Sequence, residues 1–167
     1  MHDYPGILSC ILEGYTLPRR GDHGIVHWAR VYENGLRLAE STGADPEIVA
    51  LFALFHDSCR VNEQRDHGHG HRGGELARSL RGSLVHLDNS RFDALYEACR
   101  LHTDGLVVAD ATLMTCWDAD RLDLGRVGIE PRPERLCTDA ARDLLDWAHE
   151  RAILGHEPVE VLRGWRA

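Results

Sequence analysis

Lysine is absent from this 167-residue chain: all 19 basic residues are arginine. The absence excludes a P-loop lysine, a Schiff-base lysine, a pyridoxal-phosphate enzyme and a Ser-Lys dyad. Any phosphate handled here falls to arginine or to a metal ion. Neither GxSxG nor GxGxxG occurs. Cysteine is sparse: Cys10, Cys59, Cys99, Cys116 and Cys137 are odd in number and form no CxxC pair. They are expected to be reduced, mostly core-filling thiols, not a disulfide frame or a zinc ribbon. No apolar run approaches the roughly 18 to 20 residues that span a bilayer. The opening "MHDYPGILSC" lacks the basic region and long apolar core of a signal peptide, so the expected location is cytoplasmic. Positive charge is also in deficit. With 27 acidic residues against 19 basic and a net charge of −8, the chain lacks the basic face that a nucleic-acid polymer or an anionic membrane requires.

What remains is an ordinary globular composition, 43% hydrophobic and 28% charged, at a length that suits one domain over residues 1–167. Apolar residues recur with helical spacing almost throughout, and no alternating strand pattern is convincing. A short helix is expected over Gly6 to Gly14 and a longer one from about Asp22 to Ser41. The next starts at Asp45 as N-cap with Pro46 at the first helical position, and ends near Asp57. "RVNEQRDHGHGH" reads as a loop. Further helices are expected at about 71–82, 89–103 and 109–123. After the proline-bearing "GIEPRPER", Thr138 caps a last one to about Leu154. The predicted fold class is all-α, a single helical bundle.

Within it, "ALFHDSCR" places His56 and Asp57 side by side at the end of an apolar run. With 11 histidines and 15 aspartates in 167 residues, about one such dipeptide is expected by chance, so the pair decides nothing alone. An acid at a helix C-terminus does oppose the macrodipole, which weakens the reading of Asp57 as merely solvated. His27 shares a stripe with Val31 and Leu38, and taken singly it reads as a hydrogen-bonded core histidine. His102 stands on a stripe with Leu95 and Ala98. Asp118 is flanked by Trp117 and Met114, where a carboxylate is costly unless paired or metal-bound. Its alternative is an ion pair with Arg121 at i+3. Jointly, several helices each present one His or Asp inward, which is how bundles build metal sites. The mixed imidazole–carboxylate set suits Fe, Mn, Ni or Zn better than calcium.

The order His27, His56-Asp57, Asp118 resembles the H…HD…D signature of the HD-domain metal-dependent phosphohydrolases. The resemblance runs over about residues 24–123 and is carried by "HWARV", "ALFHDSCR" and "CWDADRLDLGRVGI". It implies an HD-type bundle with the metal site between central helices. It also implies one or two divalent transition ions, and metal-activated water attacking a phosphate mono- or diester of a small, nucleotide-like substrate. Members with two further histidines between the HD pair and the last aspartate hold a second metal. His69, at the mouth of a helix after a glycine-rich loop, and His102 resemble those two. The expectation is therefore a dinuclear centre: His27, His56 and Asp118 on one ion, His69 and His102 on the other, and Asp57 bridging. Arg60 and Arg121 are candidates for bidentate contacts to phosphate, so Asp57, Arg60 and Arg121 form the expected catalytic set. His67 and His71 rival His69 but fit an exposed His-Gly run better. His23 reads as a helix-terminal neighbour, and His2, His86, His149 and His156 as surface residues. Glu63, Asp104 and Asp120 are reserve acids.

Two departures qualify the resemblance. HD nucleotidases of this size often carry a glutamate three residues after the HD aspartate, where this chain has Arg60, and the GYP motif of the cyclic-dinucleotide esterases is missing. The rival readings are a non-catalytic HD-like module that senses a metal or nucleotide, and a zinc-stabilised structural bundle. Carboxylate-containing ligand sets are less usual in closed structural zinc sites, which ranks the last reading lowest.

Overall fold

The computed structural model describes residues 2–166. Its elements are α1 (Tyr4–Gly14), α2 (Ile25–Thr42), α3 (Pro46–Phe55), α4 (His69–Ser79), α5 (Asn89–Leu101), α6 (Ala111–Arg121), α7 (Asp139–Ile153) and α8 (Val159–Gly164), with two short 3-10 turns between α6 and α7. No strand occurs among the described residues, and one isolated bridge joins Arg81 to Val85. The all-α expectation is met. Among the described residues, no helix is long and apolar enough to cross a membrane.

The caps explain where the helices begin. Asp45 accepts from the amides of Glu47 and Ile48 at 3.0 and 3.3 Å and Pro46 opens α3, as the sequence predicts. Asp88, Asp110 and Thr138 do the same for α5, α6 and α7. Gly43, in the left-handed conformation at φ 72°, closes α2. Helix α8 has no counterpart among the helices expected from the sequence, because its six residues are too short to show a period. Its anchors are Leu162 and the adjoining Trp165, both buried. The Trp165 ring meets Tyr32 of α2 edge-on at 5.6 Å.

Helix α3 is the axis of the core. Every residue from Ile48 to Phe55 is buried, and the helix packs against α2, α4, α5 and α6. Each fully buried Leu or Phe there contributes about 1.5–3 kcal/mol relative to exposure. Trp28 and Trp117 complete the core, and the Trp117 indole N–H donates to the Ala98 carbonyl at 3.1 Å. All five cysteines are free, with Cys99 and Cys116 inside the core. Against the expectation of a surface residue, His2 is buried, its Nε2 2.9 Å from Glu47 Oε1.

Helix α4 approaches closely because its inward face is glycine. A Cβ on Gly73 would lie 2.1 Å from the Phe55 carbonyl oxygen, and one on Gly70 would lie 2.1 Å from that of Cys99. Real side chains would hold α4 away from both neighbours. The seam brings the N-terminus of α4 against the C-terminal ends of α3 and α5.

Candidate metal centre

Helix ends build the site. His56 is the C-cap residue of α3 and His102 that of α5. Each turns its ring back onto carbonyls of its own last turn. His56 Nδ1 lies 3.1 and 3.2 Å from the oxygens of Phe52 and Ala53, and His102 Nδ1 lies 2.7 Å from that of Cys99. Carbonyls left over at a helix C-terminus need donors, so the same contact that ends each helix fixes its imidazole. His69, first residue of α4, points Nδ1 at the Asp66 carbonyl, 2.6 Å away. His27, in the first turn of α2, points Nδ1 at Asp123 Oδ2, 2.7 Å away.

In all four cases Nδ1 faces an oxygen that can only accept, so Nδ1 carries the proton and donates. A ring in that tautomer keeps its lone pair on Nε2, and the four Nε2 atoms converge. His27 and His56 meet Nε2 to Nε2 at 3.0 Å, and so do His69 and His102. Asp57 stands between the two pairs. Its Oδ2 is 3.5 Å from His27 Nε2 and 3.7 Å from His56 Nε2. Its Oδ1 is 3.0 Å from His69 Nε2 and 3.6 Å from His102 Nε2, and has no hydrogen-bond partner. Asp120 adds Oδ1 to the first pair, 3.4 Å from His27 and 3.7 Å from His56. Lone pairs facing one another in a buried site repel unless a cation lies among them. The groups His27–His56–Asp57 and Asp57–His69–His102 each bring their ligand atoms within 4.8 Å of one another. The donor chemistry fits divalent cations of the transition series, held through Nε2 and carboxylate oxygen, with Nδ1 anchored by a second layer of acceptors.

Titration behaviour agrees with this surplus of lone pairs and negative charge. Burial pushes the His56 pKa down to about 3, so that ring is neutral at pH 7. Burial opposes the charged form of His102 too, but there the Asp57 and Asp120 carboxylates outweigh it and the pKa rises above its ordinary value. Burial would raise both carboxylates. For Asp57 the surrounding imidazoles reverse this and hold it well below the usual range, and for Asp120 they bring it down to about 2.

The structure thus brings together five of the six sequence-predicted ligands: His27, His56, Asp57, His69 and His102. It does not bring Asp118. That carboxylate is fully buried elsewhere, accepting from the Cys137 amide at 2.7 Å and from the Thr138 amide and hydroxyl at 2.9 and 2.8 Å, where it secures the start of α7. It makes no ion pair with Arg121 either. Two residues along a helix is a rotation of about 200°, so Asp118 and Asp120 cannot share a face. The reserve acid Asp120 takes the expected place. Asp123, three residues on and on the same side, orients His27 and is itself held by Arg30 Nε at 2.6 Å. The spacing Asp120–Asp123 was the available signal.

Arg121 is likewise away from the cluster. Its Nη1 donates to the Arg135 carbonyl at 2.9 Å and its Nη2 to that of Leu106 at 2.6 Å, tying the end of α6 to two loops. Arg60 is at the cluster. Its Nε and Nη2 bond the carbonyls of Asn62 and Gln64, which leaves Nη1 3.3 Å from His69 Nε2 and 3.6 Å from Asp57 Oδ1. Of the loop histidines, His67 is exposed and His71 bonds Tyr96 at the surface, so His69 is the one presented inward. His23 is buried nearby, its Nδ1 3.6 Å from Glu63 Oε2 and neither atom hydrogen-bonded.

No curated protein and no solved structure matches this chain. Among family models, that of the HD domain matches residues 24–143. The matched span includes all of His27, His56, Asp57, His69, His102 and Asp120, the side chains that meet between the helix ends. The chain belongs to the HD-domain family.

Proposed function

We propose that this protein is a metal-dependent phosphohydrolase acting on a phosphate mono- or diester. The observation that carries the reading is Asp57, a buried carboxylate with one oxygen turned to each of two imidazole pairs. His27, His56, Asp57 and Asp120 would hold one divalent ion, and Asp57, His69 and His102 a second. Bound there, the ions supply an activated water nucleophile and neutralise charge on phosphoryl oxygens.

The chain's own residues do the rest. The Nδ1–H bonds of the four histidines fix ring orientation before any ion arrives, which removes a reorganisation cost. Asp123, clamped by Arg30, does this for His27 and stays ionised despite burial, held below the ordinary carboxylate range by His27 and Arg30. Arg60 offers Nη1 at the His69 side as a fixed cation for a phosphate oxygen; with no lysine in the chain, arginine is the natural contact. Asp120 keeps 16% of its side-chain area exposed, more than the other cluster groups.

The second reading, a non-catalytic metal or nucleotide sensor, is favoured by Arg60 itself, a cation where the related nucleotidases place a glutamate. The two separate in one experiment. Protein purified without chelator is analysed for metal, then loaded with Mn²⁺, Co²⁺, Ni²⁺ or Mg²⁺ and offered mononucleotides, dinucleotides, sugar phosphates and phosphodiesters. Phosphate release that disappears in Asp57→Ala supports the hydrolase. Metal retention with no turnover across the panel makes the protein a sensor.

A further inference from the structure

Resting on that reading, we propose that the substrate is a phosphorylated sugar or polyol carrying a second anionic group, and not a nucleotide. A cleft of about 450 Å³ opens beside the His69 half of the cluster, between the α3–α4 loop and the C-terminal end of α5. Arg60 and His69 line it, so a phosphoryl group bound at that half lies at its inner end.

The rest of the lining decides what the body of the ligand can be. Gln64, Arg65, Arg100, Thr103 and Asp104 contribute, and among the lining residues there is no aliphatic side chain and no Phe, Tyr or Trp. Small-molecule pockets are ordinarily lined mostly by apolar groups, and nucleobases are held by stacking on aromatic faces. This cleft offers a base no Phe, Tyr or Trp face: of its two imidazoles one is committed to the cluster and the other exposed, and of its three guanidinium planes those of Arg60 and Arg100 are already hydrogen-bonded within the chain. It offers a hydroxylated chain a great deal: an amide, a hydroxyl and carboxylate acceptors interleaved with guanidinium donors.

The charges are not equivalent. Asp66 is neutralised by two 2.7 Å bonds from Arg72, and Arg100 is engaged by Glu97. Arg65 makes no side-chain hydrogen bond or ion pair among the described residues and is exposed at the rim. Asp104 is also exposed and without a side-chain partner among the described residues, so the outer part of the cleft holds one free guanidinium, Arg65, and one free carboxylate, while Arg60 is the cation at its inner end. Two separated cationic points, one deep and one at the rim, match a ligand with anionic groups at both ends and hydroxyls between.

The test uses Mn²⁺-loaded full-length protein, with a hexose 1,6-bisphosphate, a hexose 6-phosphate, AMP and ADP as probes. Phosphate release and calorimetric binding are both read, in wild type and in Arg65→Ala. The bisphosphate is expected to exceed the monophosphate at least tenfold in kcat/KM, mainly through KM. Arg65→Ala is expected to abolish that gap by raising the KM for the bisphosphate, with metal content unchanged. AMP or ADP hydrolysed as well as the bisphosphate, or an Arg65→Ala variant that handles the bisphosphate like wild type, overturns the proposal while the phosphohydrolase reading survives. Tight binding of the bisphosphate that weakens in Arg65→Ala, with no turnover of any probe, upholds the cleft assignment and rejects the hydrolase. Absence of both binding and turnover of the bisphosphate rejects the cleft assignment.

Discussion

Asp118 and Asp120 are two aspartates of one helix with opposite duties, and their substitutions should separate cleanly. Asp118→Asn leaves one or more of three donors at the start of α7 poorly matched. It is expected to cost about 1–3 kcal/mol of stability, since a buried hydrogen-bonding group loses its partner. Metal content should not change. Asp120→Asn removes a charged oxygen from beside His27 and His56 and should reduce bound metal with little change in the melting temperature of the metal-free protein. Metal analysis and thermal melts on both variants check this, and metal loss in Asp118→Asn would reverse the assignment. The choice between them was not legible from local composition. An apolar neighbourhood identifies a carboxylate that must have partners, and it does not say whether those partners are amides or ions. Asp118 satisfies the physical demand that singled it out through the backbone of a segment far along the chain. His56 and His102 were more legible because each follows apolar residues at helical spacing and also ends a helix, so two independent demands pointed to the same side chain.

Helix ends set the geometry, and the closeness of α4 sets its precision. Gly73→Ala would drive a methyl group into the Phe55 carbonyl, which also accepts from the Ser58 amide and hydroxyl in the turn presenting Asp57. The expected cost is about 1–3 kcal/mol from overpacking. For a chain of this length that is a fall in Tm of roughly 2–4 °C per kcal/mol, with weakened metal retention alongside. A Gly73→Ala variant that melts and binds metal like wild type would show that the seam has slack. The start of α3 carries a pH dependence of its own. The bonds from Arg91, helped by the Glu47 and Ile48 amides, hold the Asp45 carboxyl below its ordinary value against the pull of burial. A depressed folded pKa means the stabilisation is fully present above the unfolded value of about 4 and is lost as pH falls through the folded one. Asp45→Ala should therefore cost about 0.5–2 kcal/mol at pH 7, and the gap to wild type should close as denaturation is repeated below about pH 4. Asp45, Pro46 and Thr138 were readable because capping is local chemistry. Helix α8 was not, because its reason to form is the docking of Leu162 and Trp165 on a distant helix.

At the scale of the molecule, the core and the metal centre share the same helices. Helices α3, α5 and α6 bury the apolar mass and end in, or carry, ligands, so an ion that binds only the folded chain stabilises the entire bundle. At a thousandfold excess over Kd the gain is about 4 kcal/mol, and chelation should lower Tm accordingly. The helical architecture was readable from periodicity because every long segment obeys it. The pairing of His69 with His102 was expected from the family resemblance and not from periodicity, since it depends on a glycine seam whose partners lie far apart in sequence. The two core cysteines give this coupling a clock. Cys99 and Cys116 sit on adjacent helices, and burial pushes both thiols far above their usual pKa. Modification requires a thiolate in contact with reagent, so neither reacts while the bundle is closed. With Cys10, Cys59 and Cys137 replaced by serine, the rate at which a soluble disulfide reagent consumes the remaining two counts openings of the core directly. Saturation with divalent ion should slow that count by about a thousandfold at the same excess, without any change in the reagent's own chemistry.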